Sequence, residues 1–569
     1  MRIFVLLTLL SFAFYGNERP NIVLILIDDL GFTDLGAYGG EIDTPNIDQL
    51  ADNGLIFSNY HTSPECAPSR AMLLTGMDNH NTGIPMIPEV LPRKLTSIPG
   101  YEGYLVPEAL TIAEILKTKG YQTYMTGKWH LGFGGEKKSA LPFNRGFEKT
   151  FILDATGGDN YSNHSYLPYY KEAPWFKNGK PTELPENFYS SEFIIDEMIN
   201  YIDSGENDKP FFSYISFQAQ HIPLQVPKEF TNRYLKMYEQ GWDILRNKRL
   251  SAVRDKGLFP ADKPIVDSLS SFRNWDDVGD QEKKLLIKSA AVFAGMLNAM
   301  DFHIGRLVNH LKENNLFDNT IFIITSDNGP EGNDPGDHLA WRAWIETTSY
   351  NRNTETLGEE NSYVFIGPEF AQAMASPHHL FKFHMNEGGL KVPLIISGSG
   401  VTQGVYKEFA FVTDIAATIS KMIDGEIPKR IIGKSLDQVL QGSSDKVYDE
   451  NEYIGLEVTG NSALYQGDYK IVRNRPPTGD NIWHLYNLAN DPGETDDLAK
   501  EKPEVLRQLL DNYNDYVKKN GVVDLGSDYY WADEMTVNTA KRRLAELIPP
   551  AILIFFIIGF VVLIYIRKK

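Results

Sequence analysis

The chain of 569 residues has one cysteine, Cys66, so it cannot form an intramolecular disulfide. It is also poor in basic residues, since 55 Lys and Arg stand against 75 Asp and Glu, a formal net charge of −20. This excess of negative charge argues against nucleic acid as a partner. Internal repeats and low-complexity stretches are absent, and 42 % of the residues are hydrophobic, enough to bury a large core. The lone cysteine of this folded protein therefore needs another explanation.

Two apolar segments lie at the ends of the chain. Residues 1–16 combine an early basic residue with a short apolar run, which predicts a signal peptide and export. Residues 548–566 are almost wholly apolar and precede the basic tail 567–569, which predicts one transmembrane helix. Residues 521–547 are interpreted as a stalk. We therefore expect an exported protein, anchored in the membrane by a single C-terminal helix, with its folded body outside the cytoplasm.

Between these ends, short apolar runs alternate with helical patterns. Over residues 20–444 this alternation predicts an α/β fold in which a sheet is sandwiched between helices. Residues 445–520 contain shorter strands and then a helix, which predicts a smaller C-terminal α+β subdomain. The main predicted elements are the strands Asn21–Ile27, Tyr121–Thr126, Phe211–Ser216, Thr320–Thr325 and Val392–Ser397, and the helices Thr111–Lys119 and Leu285–Glu313.

Polar side chains stand just after several of these strands. Because ligands of open α/β sheets bind at the carboxyl ends of the strands, we expect these side chains to converge on one crevice. Four of them carry hard oxygen atoms, a donor set that suits Ca²⁺ or Mg²⁺ and argues against zinc. The residues are Asp28, Asp29, Lys128, His130, His221, Asp327 and Asn328.

Cys66 opens the stretch CAPSRAMLLTG. Pro68 suits the first turn of a helix and Gly76 suits its end, so we predict that Cys66 lies at a helix N-terminus. Unpaired backbone N–H groups and the helix dipole favour an anion at that position. The sequence therefore places its only cysteine side chain at a position where a negatively charged group is stabilised.

This stretch resembles the signature of the type I sulfatases, Cys-x-Pro-Ser-Arg followed by Leu-Thr-Gly, and GKWHLG at 127–132 resembles their second signature. The resemblance reaches from about Pro20 to Lys519 and is closest to the bacterial arylsulfatase branch. It implies the alkaline phosphatase-like fold, with a large mixed β-sheet between helices. It also implies that a maturation enzyme oxidises Cys66 to formylglycine, and that the substrate is a sulfate ester.

The resemblance further implies one divalent cation, most often Ca²⁺ and alternatively Mg²⁺. Its implied ligands are Asp28, Asp29, Asp327, Asn328 and a hydroxyl of the modified Cys66. Metal and formylglycine together would form the reactive centre.

The remaining family roles map onto cationic and imidazole side chains. Lys128, His221 and Lys382 would contact the substrate, and Arg70 together with the two lysines would supply the positive charge that holds sulfate.

The implied reaction begins with attack on sulfur by one hydroxyl of hydrated formylglycine, with Asp327 as base. His221 or Lys382 would protonate the departing alcohol, and His130 would deprotonate the second hydroxyl to expel sulfate. Arg70 and Lys128 would neutralise charge.

Two alternatives remain open at this point. A phosphonate or phosphodiester hydrolase would share the cysteine motif and the metal site. A non-catalytic, membrane-anchored binder of sulfated glycans would keep Cys66 as a thiol. The substrate itself is undetermined, and Tyr161, His378 and His379 are candidate selectors on loops expected to rim the pocket.

Overall fold

The computed structural model describes residues 19–266, 271–333, 339–348, 350–477 and 479–547. The predicted signal peptide 1–16, transmembrane helix 548–566 and tail 567–569 lie outside the described residues. The strands are β1 (Asn21–Ile27), β2 (Gly54–Phe57), β3 (Tyr60–His61), β4 (Gln122–Lys128), β5 (Lys149–Leu153), β6 (Trp175–Lys177), β7 (Lys180–Pro181), β8 (Phe211–Ser216), β9 (Thr320–Ser326), β10 (Leu394–Gly398), β11 (Gly404–Tyr406), β12 (Ala410–Phe411), β13 (Tyr453–Val458), β14 (Asn461–Gln466), β15 (Tyr469–Arg473) and β16 (His484–Asn487).

Helices of very different lengths connect and cover these strands. They are α1 (Pro45–Asp52), α2 (Cys66–Thr75), α3 (Asn79–Thr82), α4 (Ile112–Thr118), α5 (Ser190–Asp203), α6 (Lys228–Thr231), α7 (Gly241–Asp255), α8 (Asp280–Glu313), α9 (Leu339–Thr347), α10 (Gly367–Met374), α11 (Glu387–Leu390), α12 (Thr413–Asp424), α13 (Asp437–Leu440), α14 (Pro503–Asn520) and α15 (Trp531–Leu547).

The main sheet has ten strands in the order β11-β2-β10-β9-β1-β8-β4-β5-β6-β7. Its five central strands, from β9 to β5, run parallel, whereas β10, β6 and β7 pair antiparallel with their neighbours. The sheet is therefore mixed, and the predicted α/β architecture is confirmed. The carboxyl ends of the parallel strands lie at one edge, which is where ligands of such sheets bind.

Strand β1 shows how the core is divided between the two faces of the sheet. Val23 and Ile25 belong to the apolar core that α5 and α8 cover, while Ile22 and Leu24 belong to the core that α2, α4 and α12 cover. Successive side chains of a strand point to opposite faces, so a strand buried on both faces reads as one continuous apolar run. This is why Asn21–Ile27 could be identified as a strand from its composition.

Among the described residues, only α8 is long and apolar enough to cross a membrane, and 83 % of its most apolar window is buried inside the protein. It is a central core helix, in contact with α1 and α5.

The C-terminal region forms a second, four-stranded antiparallel sheet in the order β13-β14-β15-β16, on which α14 packs. The smaller α+β subdomain is thus present. The segment 521–547 departs from the predicted stalk, because α15 packs against the 3₁₀ helix Pro88–Val90 of the larger domain.

Candidate functional site

Cys66 is the first residue of α2, where the sequence placed a helix N-terminus, and Gly76 ends this helix in the left-handed conformation. The thiol is completely buried, and this burial raises its pKa above the ordinary value despite the opposing effect of Lys128 and Lys382. Because only the thiolate is a good nucleophile, an unmodified Cys66 would be a poor one at neutral pH. The buried thiol of Cys66 is therefore not activated as a nucleophile by its surroundings.

Four oxygen-bearing side chains meet beside Cys66 at the ends of the adjacent strands β1 and β9. The amide of Asn328 donates a hydrogen bond to Asp29 Oδ1 at 2.6 Å, and the backbone N–H of Asp29 donates to Asp327 Oδ1 at 3.2 Å. Ligand atoms of Asp28, Asp29 and Cys66 lie within 4.8 Å of one another. The predicted metal ligands are thus brought together.

Two oxygens of this cluster, Asp28 Oδ1 and Asn328 Oδ1, are buried without a hydrogen-bond partner in the described part of the protein. Buried polar atoms of native proteins almost always have a partner, so each of these two requires an explanation. Burial, together with the negative charge of Asp327, also raises the pKa of Asp28 well above its usual range. A hard divalent cation would satisfy both oxygens and offset this cost, and the donor set fits Ca²⁺ or Mg²⁺.

The cations Arg70 and Lys128 lie underneath these carboxylates. The guanidinium of Arg70 donates twice to Asp327 Oδ2, at 2.6 and 2.9 Å, and Lys128 Nζ lies 2.6 Å from Asp28 Oδ2. Arg70 also donates to the carbonyl of Lys128 and to Ser216 Oγ. Arg70 and Lys128 therefore position and neutralise the predicted metal ligands, and of the three predicted site cations only Lys382 lines the cavity, a difference that the sequence did not reveal.

Lys382 lies 2.8 Å from Asp29 Oδ1 and 2.9 Å from Glu331. Burial disfavours its charged form, but Asp29, Cys66 and Glu331 outweigh this effect and raise its pKa well above the ordinary value. Three cations thus face four carboxylates at the site, so the cluster lacks one positive charge. A bound divalent cation would reverse the sign and make the site attractive to an anionic ester.

A cavity of about 270 Å³ opens above this cluster. Cys66, His221, Glu331 and Lys382 contribute to its wall, together with a group of aromatic residues farther along the chain. His221 Nδ1 lies 2.7 Å from the carbonyl of Ile222, which makes Nδ1 the protonated nitrogen and leaves Nε2 as an acceptor in the neutral ring. Burial and the two nearby lysines lower the pKa of His221 well below its usual range, so the ring is neutral.

His130 is paired with Glu89 rather than with the metal ligands. His130 Nε2 lies 3.1 Å from Glu89 Oε2, and the hydroxyl of Tyr170 donates to Glu89 Oε1 at 2.6 Å. Burial alone would raise the pKa of Glu89, but His130 and Tyr170 outweigh it and lower the pKa to about 2. An ionised Glu89 fixes Nε2 as the donor, which leaves the buried Nδ1 of His130 free of a described partner and able to accept a proton.

Asp29 and His130 share a backbone feature, a φ of 60°. Non-glycine residues rarely adopt this left-handed conformation, and such strain is concentrated at functional sites. Gly329, next to Asn328, has a different constraint, because a Cβ there would lie 1.9 Å from the carbonyl oxygen of Gly388. Gly329 and α11 therefore approach each other closely, and Lys382, which precedes α11 in the chain, lies beside Asp29.

The structure also shows where the sequence interpretation was incomplete. Neither Glu89 nor Glu331 was predicted as a site residue from the sequence. The three candidate selectors do not line the cavity: Tyr161 lies in a separate surface depression, and His378 packs in the core against Phe32 and Phe259. His379 is not part of the cavity wall either, whereas the neighbouring Phe381, Lys382 and Phe383 are.

Two family models and several known proteins are similar to this chain. The family model described as Sulfatase matches residues 20–425, and the model described as N-sulphoglucosamine sulphohydrolase, C-terminal, matches residues 377–519. An uncharacterised sulfatase of Schizosaccharomyces pombe is 33 % identical over 93 % of this chain and 99 % of its own length. An arylsulfatase of Klebsiella aerogenes is 32 % identical over 68 % of this chain and 82 % of its own length.

A solved structure, that of Ps i-CgsB in complex with k-i-k-neocarrahexaose, superposes with a TM-score of 0.62 at 23 % identity, covering 92 % of this chain and 98 % of that one. At this identity the likeness concerns the fold.

Proposed function

The chain belongs to the sulfatase family, and from this premise we propose that it hydrolyses sulfate monoesters through a formylglycine derived from Cys66 and a divalent cation, Ca²⁺ in the first instance. One observation carries the proposal. Cys66 begins α2 beside four oxygen donors, two of which have buried oxygens without partners. A structural cysteine in a packed core would have no need of such neighbours.

The two groups would supply complementary chemistry. Once oxidised and hydrated, the side chain of Cys66 offers two geminal hydroxyl groups, one to displace the alcohol from sulfur and one to release sulfate. A divalent cation held by Asp28, Asp29, Asp327 and Asn328 would lower the pKa of the attacking hydroxyl and stabilise developing negative charge.

Asp327 is better suited to hold the metal than to act as the base. Burial raises the pKa of Asp327, but Arg70 and Lys128 outweigh it and bring the pKa below its usual value. A carboxylate of low pKa accepts a proton weakly. Arg70 keeps Asp327 ionised and correctly oriented, so we propose that its main contribution is through the metal shell, with proton acceptance secondary.

Lys382 is the better candidate for the group that protonates the departing alcohol. Both Lys382 and His221 line the cavity with Cys66. The neutral His221 presents the lone pair of Nε2, whereas the ammonium of Lys382 carries donors. We therefore assign to Lys382 a hydrogen bond to the departing oxygen, followed by proton transfer once negative charge has developed there, because the raised pKa of Lys382 keeps its ammonium protonated until then. To His221 we assign the acceptance of a hydrogen bond during substrate binding.

His130 completes the second half of the reaction. Held by Glu89 at Nε2, it offers Nδ1 to remove a proton from the remaining hydroxyl, and this deprotonation expels sulfate without attack of water on sulfur. Glu89 is a positioning residue in this account, because it orients His130 and stabilises the imidazolium that forms.

A phosphonate or phosphodiester hydrolase is the alternative that uses the same groups. Comparing kcat/KM for 4-nitrophenyl sulfate and for an aryl phosphonate distinguishes the two functions. We expect faster cleavage of the sulfate; faster cleavage of the phosphonate would overturn the proposal.

The alcohol portion of the natural substrate is a separate question, and the similar proteins suggest two kinds, an aryl group or a sugar. One relative is an arylsulfatase, and one solved structure of the same fold contains a neocarrahexaose. We propose that the natural substrate is a sulfated ring compound, and a screen of desulfation on aryl sulfates and sulfated sugars would decide between the two kinds of ring.

We further propose that the enzyme acts outside the cytoplasm, anchored by residues 548–566. Fractionation of cells that produce the full chain tests this, since an anchored protein sediments with membranes and resists extraction by alkaline carbonate. Release into the soluble fraction would contradict it.

A further inference from the structure

The segment after α14 lies beyond both family matches, which end at residues 425 and 519, yet its helix α15 packs against the larger domain. Asn538, fully buried on α15, donates hydrogen bonds to the carbonyls of Glu89 and Leu91 at 3.1 and 3.0 Å. Tyr529, just before the helix, donates from its hydroxyl to the carbonyl of Val90 at 3.0 Å. The segment is therefore hydrogen-bonded to the 3₁₀ helix that carries Glu89, the partner of His130.

With these hydrogen bonds in place, the N-terminal end of α15 lies at the cavity. Tyr529, Tyr530, Trp531 and Met535 all contribute to the cavity wall that also contains Cys66. The ring of Trp531 stacks on that of Phe383, with centroids 5.5 Å apart and planes within 2° of parallel. Both rings are partly exposed, and Phe383 directly follows Lys382 along the chain. A stacked pair of aromatic rings therefore begins one residue away from Lys382, and both rings and Lys382 line the cavity.

Two parts of the cavity wall differ in chemistry. Cys66, His221 and Lys382 form a polar part that suits the sulfate group, while Trp531 and Phe383 belong to an aromatic part, which Arg475 also borders. A sulfate ester has the same polarity, an anionic head on an organic alcohol. Aromatic side chains bind the faces of other rings through dispersion and ring-to-ring contacts.

We propose that the segment Tyr529–Met535 is the recognition element for the alcohol portion of the substrate, with Trp531 as the main contact for a ring that presents an apolar face, either aryl or pyranose. This inference deepens the proposed function and rests on it, because it assumes that the sulfate group lies at Cys66. It assigns a substrate-binding role to a part of the chain that neither family model covers.

The test compares Trp531→Ala with Val537→Ala, a control on the exposed side of the same helix, where Val537 is 43 % exposed. We measure kcat and KM for 4-nitrophenyl sulfate, galactose 6-sulfate and methyl sulfate. We divide kcat/KM for each ring ester by kcat/KM for methyl sulfate. Trp531→Ala should lower this ratio by about 2- to 10-fold for one of the ring esters, mainly because KM rises. Val537→Ala should leave this ratio unchanged, and Trp531→Phe should restore most of it.

An equal loss for all three esters in Trp531→Ala would show a purely structural role and overturn the inference. The ester that responds identifies the ring, aryl or pyranose.

Binding separates this inference from the proposed function. In the Cys66→Ala background, calorimetric titration with the two ring esters should show an affinity about 2- to 10-fold weaker after Trp531→Ala. Val537→Ala should leave the affinity unchanged. If the wild-type enzyme turned over none of the esters but binding still depended on Trp531, sulfate-ester hydrolysis would be refuted. The proposed recognition element would then stand on the binding data. Binding that is insensitive to Trp531, or absent for both ring esters, would overturn the inference.

Discussion

Two clusters of buried charged side chains in this protein have similar composition but differ in how completely their oxygen atoms are paired. The active-site cluster consists of Asp28, Asp29, Asp327, Asn328, Glu331, Arg70, Lys128 and Lys382. The interface cluster consists of Glu387, Glu494, Lys470, His61 and Lys391, and it joins the main domain to the C-terminal sheet. In the interface cluster every carboxylate oxygen has a partner, and among its described polar atoms only His61 Nδ1 has none.

In the active-site cluster, two oxygens among the described residues have none, and the carboxylates outnumber the cations. Buried charges are tolerated where they are paired and hydrogen-bonded, so incomplete pairing marks the cluster that is completed by something else. The difference supports a structural role for the interface cluster and the proposed metal-binding role for the active-site cluster.

The largest effect on activity should come from Cys66→Ala. Removing the nucleophile should lower kcat by about 10⁴-fold or more, because the remaining groups cannot replace covalent catalysis. The thermal unfolding temperature should stay close to that of the wild type, since one small buried side chain replaces another. Turnover retained at a tenth of the wild-type rate would contradict the assignment.

The largest effect on stability should come from the interface cluster. Lys470 contacts Glu387 at 2.9 Å and Glu494 at 2.7 Å, and all three side chains are buried. Lys470→Met leaves two buried carboxylates without their cation, which should reduce the free energy of unfolding by about 3–5 kcal/mol in urea titrations. Protein that remains folded should keep kcat/KM within a few-fold.

Lys119→Met is the matched control, because Lys119 pairs with Asp424 at 2.6 Å on the surface. Its loss should cost less than about 1 kcal/mol. Equal destabilisation by Lys470→Met and Lys119→Met would show that burial of the interface cluster does not increase its effect on the free energy of unfolding.

Asp28→Asn should act on the metal. The change keeps the volume of the side chain and removes one negative ligand, so calorimetry should show Ca²⁺ affinity lower by at least about 100-fold, with activity partly recovered at high Ca²⁺. Lys470→Met should bind Ca²⁺ like the wild type. Were chelation and Asp28→Asn both without effect on activity, the active-site cluster would need no metal.

Glu89→Gln should produce a smaller and more selective effect. Without the carboxylate, His130 loses the partner that orients its ring, so release of sulfate should slow by about 10- to 100-fold while release of the alcohol continues. Rapid-mixing experiments should then show a burst of alcohol followed by a slow steady state. A slower burst would place Glu89 in the first half of the reaction instead.

Much of the fold and of the site could be predicted from the sequence where the signal is local. The apolar run before Asp28 identifies a strand, and the prolyl and glycyl residues around Cys66 identify a helix start, because each follows from backbone preferences over a few residues. Side chains at the ends of parallel strands then converge by topology, as Asp29 and Asp327 do.

The contacts that sequence reasoning missed are long-range and unpatterned. Glu89 reaches His130 across 41 residues, and Asn538 reaches Glu89 across 449. No periodicity links such positions, and a helix that follows the last family motif resembles a stalk until its packing is seen. Arg70 illustrates a related limit, because its charge indicated sulfate binding, whereas its donors are consumed by Asp327 and by backbone and hydroxyl oxygens.

The central claim is that Cys66 is the source of the nucleophile, and mass spectrometry of the peptide that contains it, from protein made in the native host, tests this most directly. Conversion to formylglycine replaces sulfur by oxygen and removes two hydrogens, so the peptide mass should fall accordingly, and the converted fraction should track the specific activity on 4-nitrophenyl sulfate. An unmodified Cys66 peptide in fully active enzyme would contradict the account.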